Sequence, residues 1–192
     1  MSTITIFGTG SMGGAIAGVL AAGGHSTEHI DTATASPEVH GDIVVLAVPY
    51  PAVAGILQQH GDALAGRIVV DVTNPVDFTT FDGLVVPAAS SAAEAIASAL
   101  PTAKVLKAFN TNFAATLAAG TVGDAATTVL VAGDDAEAKQ ALIDALTSGG
   151  HLTALDAGSL KRARELQAVG FLQMTLAASE QIAWTSGFAV VR

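Results

Sequence analysis

Thr3-Ile4-Thr5-Ile6-Phe7-Gly8-Thr9-Gly10-Ser11-Met12-Gly13-Gly14 decides the fold. A short apolar run passes directly into G-x-G-x-x-G, and the glycines pass directly into an Ala-rich helical stretch. In a strand–turn–helix context this spacing is the phosphate-binding turn of a dinucleotide fold. Gly8 permits the tight turn. Gly10 lacks a Cβ, so a pyrophosphate can approach the backbone. Gly13 lets the helix pack close to the strand. The turn Gly8, Thr9, Gly10, Ser11, Met12 and Gly13 would then present free helix N-terminal amides and a positive dipole end to phosphate.

Outward from this turn, apolar strands and helices alternate almost without exception. The spacing predicts strands over 3–8, 26–31, 42–48, 67–72, 104–109, 127–132 and 151–155. It predicts helices over 11–23, 51–60, 91–99, 112–119, 135–148 and 159–181. Such alternation implies an α/β fold with a doubly wound, mostly parallel sheet covered on both faces. Ser91-x-x-Glu94 is a capping box at a helix start. The sheet region is expected to end near 156. That gives a domain over 1–156 and a short helical C-terminal extension over 157–192 within the same compact unit.

Composition narrows the function. The 192 residues carry a net charge of −9, with 51% hydrophobic and 13% charged residues. This describes a well-buried α/β core and argues against nucleic acid or an anionic membrane as partner. There is no cysteine, which excludes disulfides, thiolate metal sites and cysteine nucleophiles. The histidines show no metal-ligand spacing, so no metal is expected, and each reads as structural or surface. No apolar run is long enough for a spanning helix, and no basic leader opens the chain, so a soluble cytoplasmic protein is expected.

The end of the second strand reads the cofactor in such folds. Asp31 stands about 20 residues after the glycines, the usual distance for an acid on the ribose 2′-OH. No Lys or Arg precedes Arg67. This favours NAD over NADP, the alternative being that Asp31 merely starts a turn. Ligands in open parallel sheets lie outside the carboxyl ends of the strands. Ala47, Val48 and Pro49 would pass the adenosine side, with Tyr50 either over the cofactor or packed in the turn. Thr73 and Asn74, with Pro75 behind them, and Asn110 would orient the nicotinamide or serve local turns and caps. Lys161-Arg162-Ala163-Arg164-Glu165 would attract an anion or form a solvated face with local ion pairs.

No catalytic constellation is evident: no G-x-S-x-G elbow, no paired carboxylates, no H-E-x-x-H. Hydride transfer between two organic cofactors needs alignment and water exclusion more than an acid–base residue.

Several segments resemble the NADPH-dependent reductases of the deazaflavin coenzyme F-420 and related dinucleotide-binding oxidoreductases. They are Gly8–Gly13, Val45–Tyr50, Val69–Pro75, Lys104–Thr111, Val131–Asp135, Asp156–Leu160 and Ala163–Leu166. The resemblance implies a Rossmann-type domain with a helical C-terminal extension, often a homodimer. It implies an NAD(P)-dependent oxidoreductase passing a hydride between a nicotinamide and a deazaflavin or flavin. A similar domain forms the cytosolic part of some ferric reductases. Where the family carries a Ser-Arg pair for the 2′-phosphate, Asp31-Thr32-Ala33 stands here. On this reading Asp31 or Thr32 meets the ribose, and Tyr50, Asn74 and Asn110 border the nicotinamide. Two other readings are a reductase of small imines or keto acids resembling pyrroline-carboxylate reductase, and a non-catalytic dinucleotide-binding module. The first needs a larger helical domain than 157–192 supplies. The apolar segment from Leu166 through Phe188 is expected to pack on the sheet, on a second subunit, or both.

Overall fold

In the computed structural model, which describes residues 2–31 and 38–191, the glycine stretch stands where β1 (Thr3–Phe7) hands over to α1 (Ser11–Ala22). β2 (Ser26–Ile30) pairs parallel with one side of β1, and β3 (Ile43–Leu46) pairs parallel with the other. The chain thus winds outward to β2 and returns across β1, leaving a switch point between β1 and β3. α2 (Tyr50–Leu64) leads to β4 (Ile68–Asp71), and α3 (Ala92–Ala99) leads to β5 (Lys104–Lys107), both strands parallel to β3. α4 (Ala114–Ala119) and a small hairpin, β6 (Thr121–Val122) with β7 (Ala125–Ala126), precede β8 (Thr128–Gly133). α5 (Ala136–Thr147) connects β8 to β9 (Thr153–Gly158), and a 3₁₀ turn over Leu160–Arg162 opens α6 (Ala163–Ala178). The sheet order is β2-β1-β3-β4-β5-β8-β9.

The fold class read from the alternation holds: α/β, mostly parallel, with helices on both faces. The final two strands depart from the parallel run. β8 meets β5 antiparallel, with Leu106 opposite Gly133, and β9 runs parallel to β8. The β6–β7 hairpin comes just before this reversal. Its two-residue strands carry no alternation from which to read them.

Alternation along the buried strands divides the core in two. Ile43 and Val45 join Ile4, Ile6, Val70 and Leu106 beneath α1, α4 and α5. Val44 and Leu46 join Phe7, Val69 and Val105 beneath α2, α3 and the start of α6. Each such fully buried aliphatic side chain contributes about 1.5–3 kcal/mol.

Helix boundaries shift where side chains decide them. α2 continues past residue 60 because Leu64 is fully buried, although Gln58-Gln59-His60-Gly61-Asp62 reads as a polar ending. The expected single helix over 159–181 is instead a 3₁₀ turn followed by α6. The Leu160 amide donates to Asp134 Oδ1 at 2.9 Å, which holds the turn against the end of β8. β9 runs to Gly158, two residues beyond the expected end of the sheet at 156. The Ser91 cap forms as read: its hydroxyl oxygen accepts the Glu94 amide at 3.1 Å and donates to the Glu94 carboxylate at 2.9 Å.

Candidate functional site

The three motif glycines are required for different reasons. Gly8 has φ +115°, and a Cβ there would stand 2.2 Å from the Ala47 carbonyl oxygen. A Cβ on Gly13 would stand 2.6 Å from the Gly8 carbonyl oxygen. Both glycines are therefore demanded by the fold itself. Gly10 has an extended backbone (φ −74°, ψ −178°), and a Cβ there would meet nothing within 4 Å. The open space over Gly10 is not needed for packing.

Gly10 is also the N-cap of α1, which has no side-chain cap. The first-turn amides after it have no intrahelical acceptor, so an anion can be their partner. Ser11 is exposed here, and Met12 packs half-buried against the core under α1.

Beside this turn lies a cavity of about 390 Å³. Gly8, Thr9 and Gly10 form its rim at the turn, Asp31 stands at the end of β2, and Ala47, Val48 and Pro49 line it from the end of β3. Phe7, Ile30 and Ile56 make the floor apolar, and the His60 ring packs tilted by 50° against Phe7 with centroids 5.1 Å apart. An apolar slot beside exposed backbone amides suits a flat base joined to phosphate. Tyr50, at the first position of α2, packs half-buried on the core beneath that helix, next to the cavity lining. Thr32 lies outside the described residues.

The edge above β4 and β5 is built differently. Register places Asp71 beside Lys107, and both side chains are fully buried. Lys107 Nζ donates to Asp71 Oδ2 at 2.8 Å and to the Thr73 carbonyl, while the Thr73 amide donates to Asp71 Oδ1 at 2.8 Å. Burial pushes the Lys107 ammonium below the ordinary lysine range, against the opposing pull of the Asp71 carboxylate.

Above this pair, Asn74 Nδ2 donates to the Asn110 carbonyl at 2.8 Å, and Asn110 Nδ2 donates back to Asn74 Oδ1 at 3.0 Å. Asn110 Nδ2 also reaches the Leu166 carbonyl at 2.8 Å, so the pair fastens α6 to the sheet. Gly170 makes the close approach possible, since a Cβ there would stand 2.5 Å from the Asn110 carbonyl oxygen. Phe109, fully buried with φ +65°, provides the sharp bend that brings Asn110 back over β4. Pro75 is buried, and its carbonyl accepts the Val85 amide at 2.8 Å. Thr73 Oγ1 and Asn110 Oδ1 are buried with no hydrogen-bond partner among the described residues.

Sequence reasoning had no hold on the Asp71–Lys107 pair. The available signal was a charged residue closing each of two strands with apolar centres, Ile68–Asp71 and Lys104–Lys107. The basic cluster resolves into local ion pairs: Arg164 Nη2 lies 2.7 Å and Arg162 Nη1 3.6 Å from Glu165 Oε1.

Sheet, switch point and glycine turn together define a Rossmann-type α/β fold. Residues 28–75 match the family described as NADP oxidoreductase, coenzyme F420-dependent. The F420-dependent NADP reductase of Methanocaldococcus jannaschii is 30% identical over 132 residues, covering 67% of this chain and 59% of that protein. The rat metalloreductase STEAP3 is 37% identical over 139 residues, covering 72% of this chain and 26% of that protein. The chain therefore spans about three fifths of the first relative's length and about a quarter of the second's. A solved Arthrobacter sp. FB24 protein, assigned as an F420-dependent NADP reductase, superimposes with a TM-score of 0.86 at 27% identity, each chain covered completely. The resemblance read from the sequence holds: in sequence and in fold the chain is similar to NAD(P)-dependent oxidoreductases of this type. No helix among the described residues is long and apolar enough to cross a membrane.

Proposed function

We propose that this chain is an oxidoreductase that exchanges a hydride between a nicotinamide dinucleotide and a flavin-like or deazaflavin acceptor. The open space over Gly10, beside two glycines whose space the fold itself uses, carries the reading. The likeness to the Methanocaldococcus F420-dependent NADP reductase, and to the Arthrobacter protein assigned the same activity, supports it.

Gly8 to Gly13 would cradle the pyrophosphate through backbone amides. Ala47, Val48 and Pro49 would border the adenosine, and Asp31 or Thr32 would meet its ribose. Thr73, Asn74, Pro75 and Asn110, with Tyr50 nearer the turn, would wall the nicotinamide side. Their role is to fix and exclude, because the buried pair below and α6 above hold the Asn74–Asn110 wall rigid. When bound, the dinucleotide supplies or takes a hydride with its two electrons, and the acceptor exchanges one proton with water. No side chain need act as acid or base.

Within this reading NAD is preferred to NADP. Asp31 sets a carboxylate at the cavity, no Lys or Arg precedes Arg67, and Arg67 itself is held by the Val39, His40 and Gly41 carbonyls. A pairing of two chains is also proposed, since Val169, Leu172, Trp184 and Phe188 are exposed along the C-terminal segment. A monomeric mass in light scattering at micromolar concentration would refute it.

Paired titrations with NADH and NADPH, followed by bound-nicotinamide fluorescence, test the main reading. Tighter NADH binding is expected. Tighter NADPH binding would assign the 2′-phosphate to the segment after Asp31. Failure of both below millimolar concentration would sink the reading.

A further inference from the structure

The glycine turn is held from β2 by two bonds, and one of them comes from a side chain. The Gly8 amide donates to the Ile30 carbonyl at 2.8 Å. The Gly8 carbonyl stands 2.9 Å from His29 Nδ1. A carbonyl only accepts, so Nδ1 carries the hydrogen in this contact.

The ring approaches from behind. β2 pairs with β1 so that His29 lies opposite Ile6 and Ile30 opposite Phe7. Ile6 belongs to the core under α1, whereas Phe7 and Ile30 belong to the core under α2 and line the cavity. Successive strand residues point to opposite faces. His29 therefore grips the turn from the α1 side and leaves the cavity clear. The oxygen it holds is the atom that limits how closely α1 packs at Gly13. That oxygen also orients the next peptide group. In a trans peptide the N–H points opposite to the C=O, so anchoring the Gly8 carbonyl at His29 turns the Thr9 amide away from the ring. Thr9 lies on the cavity rim.

Resting on the dinucleotide reading above, we propose that His29 is a positioning residue for the ligand's phosphates. Its Nδ1–H fixes the peptide between Gly8 and Thr9, and with it the direction of the amides that follow. It does not touch the ligand.

NADH and NADPH titrations of wild type, His29→Ala, His29→Asn and His29→Gln, with thermal melts alongside, test this. Asparagine carries an N–H where Nδ1 stands, whereas glutamine reaches one bond further. His29→Ala and His29→Gln are expected to weaken binding about three- to tenfold, the size of one net hydrogen bond. His29→Asn is expected to stay within about twofold of wild type on the same scale. Melting temperatures should differ by no more than about 4 °C among the four, because a single bond from an exposed residue is at stake. Wild-type affinity in His29→Ala, or affinity that tracks melting temperature instead of the donor, overturns the proposal. If wild type binds neither dinucleotide, the functional reading itself fails, and this inference fails with it.

Discussion

Gly10→Ala separates what the fold requires of a glycine from what a ligand requires. Alanine adopts φ −74°, ψ −178° without strain, and its Cβ meets no atom within 4 Å. Two small terms of opposite sign remain. Alanine is a poorer N-cap than glycine, by about 0.5–1 kcal/mol. It also restricts the unfolded chain, which adds about 0.4–1 kcal/mol of stability. The melting temperature should then move by less than about 4 °C, since 1 kcal/mol corresponds to about 2–4 °C at this chain length. Gly8→Ala is the contrast. Its Cβ would lie 2.2 Å from a backbone oxygen at φ +115°, in strand-end structure where the Ala47 amide bonds Phe7 at 2.9 Å. Strain of about 1–3 kcal/mol plus the displaced bond gives a loss of about 3 kcal/mol. For binding the order reverses. A methyl over Gly10 would push a phosphate off the first-turn amides, and losing two charge-assisted hydrogen bonds at about 1.5 kcal/mol each weakens the dissociation constant about 150-fold. Thermal melts and nicotinamide-fluorescence titrations on the two variants read both quantities. Gly10→Ala with an unchanged dissociation constant would refute the assignment of the open space to phosphate. Gly10→Ala as unstable as Gly8→Ala would refute the packing argument.

Three further outcomes are expected. Lys107→Met leaves the Asp71 carboxylate buried and unpaired, which costs about 3–5 kcal/mol in urea unfolding; adding Asp71→Asn should recover part of the loss, and a double variant worse than the single would contradict the pairing. Gly170→Ala forces a Cβ to 2.5 Å from the Asn110 carbonyl and should cost about 1–3 kcal/mol; an unchanged urea midpoint would show that α6 is not docked through Asn74 and Asn110. His40 contacts Glu28 at 2.9 Å and Glu38 at 3.2 Å, and the Glu28 bond and charge hold its pKa above the ordinary 6.5. Burial pushes Glu28 up, but the Thr5 hydroxyl and the His40 amide and ring outweigh it and hold Glu28 below 4.5. His40 thus contributes stability that is fully present below its unfolded value and lost as pH rises through its folded one. Glu28 contributes stability present above its unfolded value and lost as pH falls through its folded one. The stability gap between wild type and His40→Gln should be largest between those limits and close as pH rises above 6.5. A gap that persists at pH 9 would show that packing, not charge, links β2 to His40.

The parts of the fold that local chemistry dictates were legible in the sequence. Gly8 and Gly13 announce two close backbone approaches five residues apart, and such approaches leave few residue choices. Ile43–Leu46 shows its two-sided burial as an unbroken apolar run. What stayed hidden depends on register between distant segments. Asp71 and Lys107 become a pair only because β4 and β5 align residue for residue. Asn74 and Asn110 carry the polarity expected of ligand contacts, yet their amides are bonded to each other and to α6. His29 is one of five scattered histidines in the sequence, and only the β1–β2 pairing brings it behind Gly8. The reversal at β8 follows a hairpin too short to leave a periodicity.

These placements divide the carboxyl edge of the sheet into two kinds of surface. Over β1 and β3 the backbone stands open, with an N-cap that has no side chain and a glycine whose empty side is unused by packing. Over β4 and β5 the corresponding groups are joined through Lys107, Asp71, Thr73, Asn74 and Asn110 to the backbone of α6. On the proposed reading the open half would take up phosphate by offering amides, and its strength would depend on how firmly those amides are aimed. A closed half offers few free groups and works by shape, so its alignment depends on the seating of α6. Changes at Gly10 and His29 should therefore register as dinucleotide affinity. Changes at Gly170 should register as turnover at saturating dinucleotide. If Gly170→Ala weakened dinucleotide binding as much as Gly10→Ala, the two halves would have to be treated as one site.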